Sequence, residues 1–551
     1  MKKFIYSLAI AAAFMTSSCI GDLDTLPLNE TDKTAEVSYQ TLSGLESGLA
    51  YVYGSFCLVS QNSPGSSDLA MDDAGQSEFI RQLVMLNEMS VDALKCIWGD
   101  PYIIDLQNNS WSSTPNSSTI AVYTRGMMTI TRANEFLIQS KDKNFPEVPQ
   151  LRAEARFMRA LAYYFMMDLF GNPPFALEEN INGELPGQIG RANLFNWIEG
   201  ELKSIINGTD GEELANKGAV DYPRADKGAA MALLARMYLN AEVYTGTARW
   251  QDARDARDAA KAVIDMGYSL CPNYEELFLQ DNSENMNARN EMIFAVAYDR
   301  ENTQSWGGTT HFISASLSDA ASTSIAENLG YPNGSLISRE RWNGYHVPSI
   351  YVERNFELSG VNWNAKEGFG YDREHSDKRA MLYNIGGAEA YDKADVNTGW
   401  RCWKWTSRDS KGNLYSSDQY SKFSSADFAI FRLAEMYLIY AEAQARIDGG
   451  TTTNPTAISY IKNLRDRAGL DTPSYVDLEF ILKERGAELM WEGQRRTDLI
   501  RYGYFTSSKF SWPYKGGVPD GKTSLPTFRI VYPLLQSDLN ENPNLVQNEG
   551  Y

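Results

Sequence analysis

The sequence predicts a mostly α-helical protein, a tetratricopeptide-like scaffold that carries a loop-rich, irregular ligand-binding insertion. Three observations predict it. Long segments repeat their apolar residues every 3.6 positions, one helix pattern recurs at separate places, and the periodicity fails over about 270–425.

The periodic segments run over about 37–55, 119–140, 148–170, 225–245, 249–266, 426–448, 455–468 and 476–504. Gly171-Asn172-Pro173-Pro174 stops the third, Asp448-Gly449-Gly450 stops the sixth, and Asn454-Pro455 opens the seventh. Leu234-Ala235-Arg236-Met237-Tyr238-Leu239 nearly matches Leu433-Ala434-Glu435-Met436-Tyr437-Leu438, with Leu161-Ala162-Tyr163-Tyr164-Phe165 a looser copy. Small Ala beside large Tyr at fixed offsets lets neighbouring helices approach closely, as tetratricopeptide pairs do. Residues 37–551 therefore read as one domain, with helices over about 37–55, 119–270 and 426–505. The irregular face covers about 56–118 and 271–425. It is rich in Gly, Ser, Asn, Asp and aromatics, with short strand-like runs such as Met292-Ile293-Phe294-Ala295-Val296. An insertion this long in a helical scaffold is more often functional than merely structural.

Residues 1–18 read as a signal peptide. Lys2 and Lys3 precede an apolar run over 4–15 that is too short to span a bilayer, and Thr16-Ser17-Ser18 supplies small residues for cleavage. Cys19 follows at once, the layout of a bacterial lipoprotein whose new N-terminal Cys is acylated; the alternative is an ordinary secretory signal with a coincidental Cys. Residues 19–36 would then be a tether. Each acyl CH₂ is worth about 0.8 kcal/mol on burial, so several chains make a stable anchor without a spanning helix.

The net charge of −20 disfavours nucleic acid and anionic lipid as partners. Cys57, Cys96, Cys271 and Cys402 are scattered, form no CxxC and read as buried small hydrophobes, with one disulfide left open. The three histidines lack metal-ligand spacing, and there is no HExxH, GxSxG, Walker loop or GxGxxG after a strand-like run. A surplus of Trp (12) and Tyr (31) suits a surface for amphipathic ligands.

Five ordered segments carry a resemblance to a known family. They are Glu154-Ala155-Arg156-Phe157-Met158-Arg159-Ala160-Leu161, Asp168-Leu169-Phe170-Gly171, Phe431-Arg432-Leu433-Ala434-Glu435-Met436-Tyr437-Leu438, Trp491-Glu492-Gly493-Gln494-Arg495-Arg496-Thr497-Asp498-Leu499, and the C-terminal Tyr532-Pro533 through Asn542-Pro543-Asn544 to Gly550-Tyr551. With them the chain resembles the SusD/RagB family of Bacteroidetes outer-membrane lipoproteins nearly end to end. The resemblance implies a lipid-anchored protein at the cell surface that caps a SusC-like TonB-dependent transporter and does not hydrolyse its ligand.

The likeness is greatest to the starch-binding members. It implies that Asp73, Arg81, Trp98, Trp306 and Tyr345 form an aromatic arc with polar flanks around a maltooligosaccharide. Trp306 stands where those members have Tyr and Tyr345 where they have Trp. Near Pro101 their hydrogen-bonding Asn is missing and Asp100 stands beside it. The chemistry is apt, because indole and phenol rings stack on the C–H face of a pyranose, while Asp and Arg read its hydroxyls. Angled platforms suit a curved α-1,4-glucan better than a flat β-1,4 chain. From the residues alone, Trp98 could be core, and either Trp342 or Tyr345 could be the packed aromatic. Asp281-Asn282-Ser283-Glu284-Asn285 reads as a polar turn; the resemblance implies a structural calcium there, with Asp281 and Asp427 as ligands. Other glycans or a peptide would fit the same role. The rival readings are a glycosidase, needing two carboxylates about 5–9 Å apart, and a purely structural scaffold.

Overall fold

The computed structural model describes residues 35–551 apart from 72, 115, 248–249, 332–333, 339, 366, 386–398 and 416–418. The signal segment, Cys19 and nearly all of the expected tether lie outside the described residues. Among those described, no helix is long and apolar enough to cross a membrane.

The helices that build the scaffold are α1 (Leu42–Gly54), α2 (Phe79–Val84), α3 (Ser117–Ser140), α4 (Val148–Phe170), α5 (Arg191–Asn207), α6 (Lys227–Leu239), α7 (Trp250–Ile264), α8 (Leu433–Ile447), α9 (Pro455–Ala468), α10 (Leu478–Glu488) and α11 (Arg495–Arg501). They pack in succession: α3 on α4, α4 on α5, α5 on α6, α6 on α7, α7 on α8, and α8 on both α9 and α10. The Ala-rich faces make this close stacking possible, since Ala230, Ala235, Ala434, Ala441 and Ala445 have no exposed surface. Caps follow the sequence signals. Asn454 accepts from Thr456 N and Ala457 N ahead of Pro455, and Thr41 accepts from Gly44 N at the start of α1.

The structure departs from the periodic pattern in several places. The segment 225–245 is two helices that meet at Asn240, where the backbone leaves the helical range. The first residues of 426–448 form a strand, Phe428–Arg432, almost wholly buried and paired antiparallel with the buried Met292–Val296 before α8 begins. The segment 476–504 breaks between α10 and α11, where Trp491 (φ 60) and Gly493 (φ 74) take left-handed backbone. Helix α5 has no counterpart among the periodic segments.

The irregular regions hold short strands and helices. Lys95–Cys96 pairs antiparallel with Tyr345–His346, in the register Cys96 to Tyr345. Cys57, Cys96, Cys271 and Cys402 are buried and unbonded to one another.

Scaffold and insertion meet at a buried ionic cluster. Arg432, 2 % exposed, reaches Glu291 (2.9 Å), Glu488 (2.6 Å) and Glu492 (2.7 Å). Lys404, from the insertion, closes on Glu492 at 2.7 Å, and Arg467 on Glu291 at 2.7 Å. Burial works against the charge on Glu488, but Arg467, Arg432 and Arg379 outweigh it and hold its carboxyl below the usual range. A depressed folded pKa means this stabilisation is present above the unfolded carboxylate pKa and is lost as pH falls through the folded one.

Removing Arg432 would take one buried partner from each of three carboxylates, leaving Glu291 to Arg467, Glu492 to Lys404, and Glu488 to Arg467 and Arg379. Urea unfolding of Arg432→Met should show a loss of about 3–5 kcal/mol. A loss no larger than the roughly 0–1 kcal/mol typical of surface ion pairs would show that the cluster is not the junction described.

Candidate functional site

Trp98, Trp306 and Trp342 line a single cleft of about 530 Å³, together with Asp73, Gln76, Arg81, Asp100, Tyr102, His311, Glu340 and Lys422. All three indoles are half-buried. The aromatic groups form a continuous series. Trp306 and Trp342 have centroids 5.9 Å apart and planes inclined at 47°, Trp342 lies 5.6 Å from His311, and His311 lies 5.9 Å from Trp98.

Backbone geometry sets each platform. The two-residue ribbon of Lys95–Cys96 and Tyr345–His346 is extended by Ile97 N donating to Gly344 O at 3.0 Å, which brings Trp98 over Gly344. A Cβ on Gly344 would stand 2.3 Å from the Trp98 indole, so only glycine lets the ring lie against the chain there. Trp342 is fixed by its N–H donating to Ser314 O at 2.6 Å, and Asn343 then turns with φ 46. Trp306 rests on Phe423 at 4.8 Å and packs its backbone on Gly75, whose Cβ would fall 2.6 Å from Trp306 O.

The polar flank is an ordered pair. Asp73 Oδ1 accepts from Gly75 N (3.0 Å) and Oδ2 from Arg81 Nη1 (2.8 Å). The Asp73 side chain is 47 % exposed and that of Arg81 only 4 %, so the carboxylate faces the cleft and the guanidinium stands behind it. Burial opposes the Arg81 charge, but Tyr102 and Asp73 keep its pKa above the ordinary value. Asp100 lines the cleft and makes no side-chain capping bond to the helix Pro101–Gln107. On the opposite rim Lys422 pairs with Glu340 at 3.6 Å and lies 6.0 Å over the Trp306 ring.

Tyr345 is not a platform. It has no exposed surface, its hydroxyl is 2.7 Å from His311 Nε2, and its ring packs between Trp98 (5.7 Å) and Trp491 (5.9 Å). Its position opposite Cys96 in the ribbon turns it inward, and the half-buried aromatic beside Asn343-Gly344 is Trp342. Burial, with Arg81 nearby, pushes the His311 pKa well below 6.5, so the imidazole beneath the indoles is neutral.

Asp281 and Asp427 do not share a ligand set. Both Asp281 oxygens accept from Ser410, while Asp427 is buried and accepts from Tyr298 N (2.8 Å) and Tyr222 Oη (2.7 Å). Among the described residues no group of three or more His, Cys, Asp or Glu side chains is placed to hold a metal ion. Sequence reasoning missed Gln76, Tyr102, His311, Glu340 and Lys422, because nothing local marks a polar residue that only folding brings beside an aromatic.

Burial separates the two aromatics around Asn343. Tyr345→Ala should cost about 3–5 kcal/mol in denaturant unfolding, as large-to-small core changes do, and Trp342→Ala clearly less. Equal losses would contradict the assignment of Tyr345 to the core and Trp342 to the cleft.

Comparison with known proteins identifies the family. A family model described as "SusD family" matches residues 290–551, and one described as "Starch-binding associating with outer membrane" matches 69–239. The chain is 32% identical over 584 aligned positions to the starch-binding protein SusD of Bacteroides thetaiotaomicron, covering 100% of this chain and 99% of that protein. It is 25% identical to SusD-like protein P25 of Formosa agariphila, covering 73% of each. A solved surface glycan-binding protein A from Bacteroides thetaiotaomicron, in complex with laminarihexaose, shares the fold with a TM-score of 0.66 at 17% identity, over 92% of this chain and 99% of that one. The chain belongs to the SusD family.

Proposed function

We propose that this SusD-family chain is a non-catalytic glycan-binding lipoprotein of the outer-membrane surface. It captures starch or maltooligosaccharides and delivers them to a SusC-like TonB-dependent transporter. The observation that carries the reading is the cleft of Trp98, Trp306 and Trp342 flanked by the exposed carboxylate of Asp73. The starch-binding name of the relative that spans the whole chain supports an α-glucan. The lipoprotein layout ending at Cys19 supports the anchor, and the family resemblance supports the transporter.

The geometry gives physical reasons for a neutral, curved ligand. Planes inclined at 47° stack on successive sugar rings only when the chain bends between them. The cations of the cleft are already paired, Arg81 with Asp73 and Lys422 with Glu340, and Asp100 adds a further negative charge. A uronic-acid or sulfated glycan would meet net repulsion. The relatives are named for binding, and the role here is capture without turnover.

Isothermal titration of the soluble form lacking Cys19 with maltoheptaose should give a dissociation constant on the order of micromolar to millimolar. Trp98→Ala, Trp306→Ala and Trp342→Ala should each lose about 1–3 kcal/mol, roughly ten- to hundred-fold in affinity. Tyr345→Phe should bind as wild type. Cellohexaose and alginate should not bind. Binding to laminarihexaose or a peptide in place of maltoheptaose would keep the cleft and sink the starch assignment. Release of reducing sugar that follows the protein through purification would instead favour a glycosidase.

The anchor has its own test. Cys19→Ala should leave the membrane fraction, and the wild type should be cut by protease added to whole cells. A variant that stays membrane-bound contradicts the lipoprotein reading.

A further inference from the structure

Behind the cleft lies a carboxylate that touches no ligand-facing surface. Glu78 has no exposed surface and caps α2. Its Oε2 accepts from Arg81 N at 2.5 Å and from Gly308 N at 2.9 Å, and its Oε1 accepts from the Tyr298 hydroxyl. The contacts on the far side are as close as glycine allows. A Cβ on Gly307 would fall 2.3 Å from Glu78 Cβ, and one on Gly308 (φ 48) would fall 2.1 Å from Tyr298 Oη. One carboxylate therefore joins the Trp306-Gly307-Gly308 segment to the turn that carries Arg81.

We propose that Glu78 is a positioning residue for the cleft: its buried carboxyl clamps the Trp306 segment against the Arg81 turn, and proton uptake by the closed clamp makes glycan capture pH-dependent. The proposal rests on the glycan reading of the cleft for its consequence, and on the clamp geometry for itself.

The direction follows from linkage. The groups that face Glu78 are Arg81 on its own helix, Tyr298 and Cys57 from the segments packed on it, Asp427 behind Tyr298, and Arg125, which bonds Ser77. Arg81 turns its guanidinium to Asp73, so among the described residues no cation pairs directly with Glu78. Burial pushes its carboxyl up to about 7, against the donated hydrogen bonds of Tyr298, Arg81 and Gly308. Opening the Gly307-Gly308 segment would hydrate Glu78 and return it towards the ordinary carboxylate value of about 4.3. The closed clamp thus holds the proton more tightly than the open one. Its stability is greatest at low pH and is lost as pH rises to about 7, then stays level.

The test is amide hydrogen exchange on peptides across 304–310, expressed as protection factors so that the intrinsic pH dependence is removed. In wild type, protection at Gly308 should fall on the order of tenfold between pH 5.5 and 8. Glu78→Gln keeps the acceptor oxygen without the charge, so its protection should be the same at both pH values. Asp427, pushed by burial to about 7 and bonded to Tyr298 N, is the control, and Asp427→Asn should keep the wild-type profile. Affinity for maltoheptaose should follow protection, falling with pH in wild type and level in Glu78→Gln. A wild-type profile in Glu78→Gln, or a level profile in wild type or in Asp427→Asn, overturns the proposal. If the exchange profiles behave as expected and maltoheptaose fails to bind at every pH, the clamp stands and the starch assignment fails.

Discussion

The ion cluster centred on Arg432 ties the molecule together. Its guanidinium leaves the strand Phe428–Arg432 and meets three carboxylates from two other segments, Glu291 from one and Glu488 and Glu492 from the other. Burying charges is costly unless each is paired, so the cluster forms only when all its segments are in register. From it a chain of contacts leads to the cleft. Glu492 adjoins Trp491, whose indole N–H donates to Ala93 O at 2.8 Å. Arg495 pairs with Asp92 at 2.9 Å, and Gln494 N donates to Glu88 at 2.9 Å. The segment so held runs directly into Lys95–Cys96 and Trp98. Trp491 also packs on Tyr345, which supports Trp98 from below. The scaffold thus sets the cleft through shared side chains and backbone.

A rigid cleft matters because the ligand is flexible. Ordering an oligosaccharide costs entropy, and affinity survives only if the protein does not have to order itself as well. The buried Tyr345 ring packed on Trp98, the glycine contact beneath Trp98 and the Glu78 clamp fix the platforms in advance. The glycines at 75, 307, 308 and 344 serve the same end, since each sits where a side chain would push a platform or its support out of place.

The scaffold was largely legible in the sequence, and the ligand face less so, for one physical reason. Periodicity and caps report local burial, which is why α3, α4, α7 and α9 fall where the apolar repeat puts them. The strand Phe428–Arg432 and the break at Trp491 depend on distant partners, Met292–Val296 and Ala93, and the local pattern does not carry them. The motifs that identify the family are mostly structural. Asp168 accepts from Tyr244 and Thr497, Glu154 from Tyr53, and Glu492 belongs to the ion cluster. In the ligand face, Trp98 and Trp306 were marked by the resemblance. Tyr345 and Trp342 flank the same Asn343-Gly344 turn, and only the pairing of Tyr345 with Cys96 decides which one faces inward.

The central claim is that three indoles form one ligand-contacting face. Incorporation of 5-fluorotryptophan gives each of the 12 tryptophans its own fluorine signal, assigned by single Trp→Phe variants. On titration with maltoheptaose, the signals of Trp98, Trp306 and Trp342 should shift together along one binding curve, while those of the buried Trp111, Trp400, Trp403, Trp491 and Trp512 stay in place. A shift confined to Trp363, which is 38 % exposed outside the cleft, or a binding curve with no shift at the three indoles, would contradict the account.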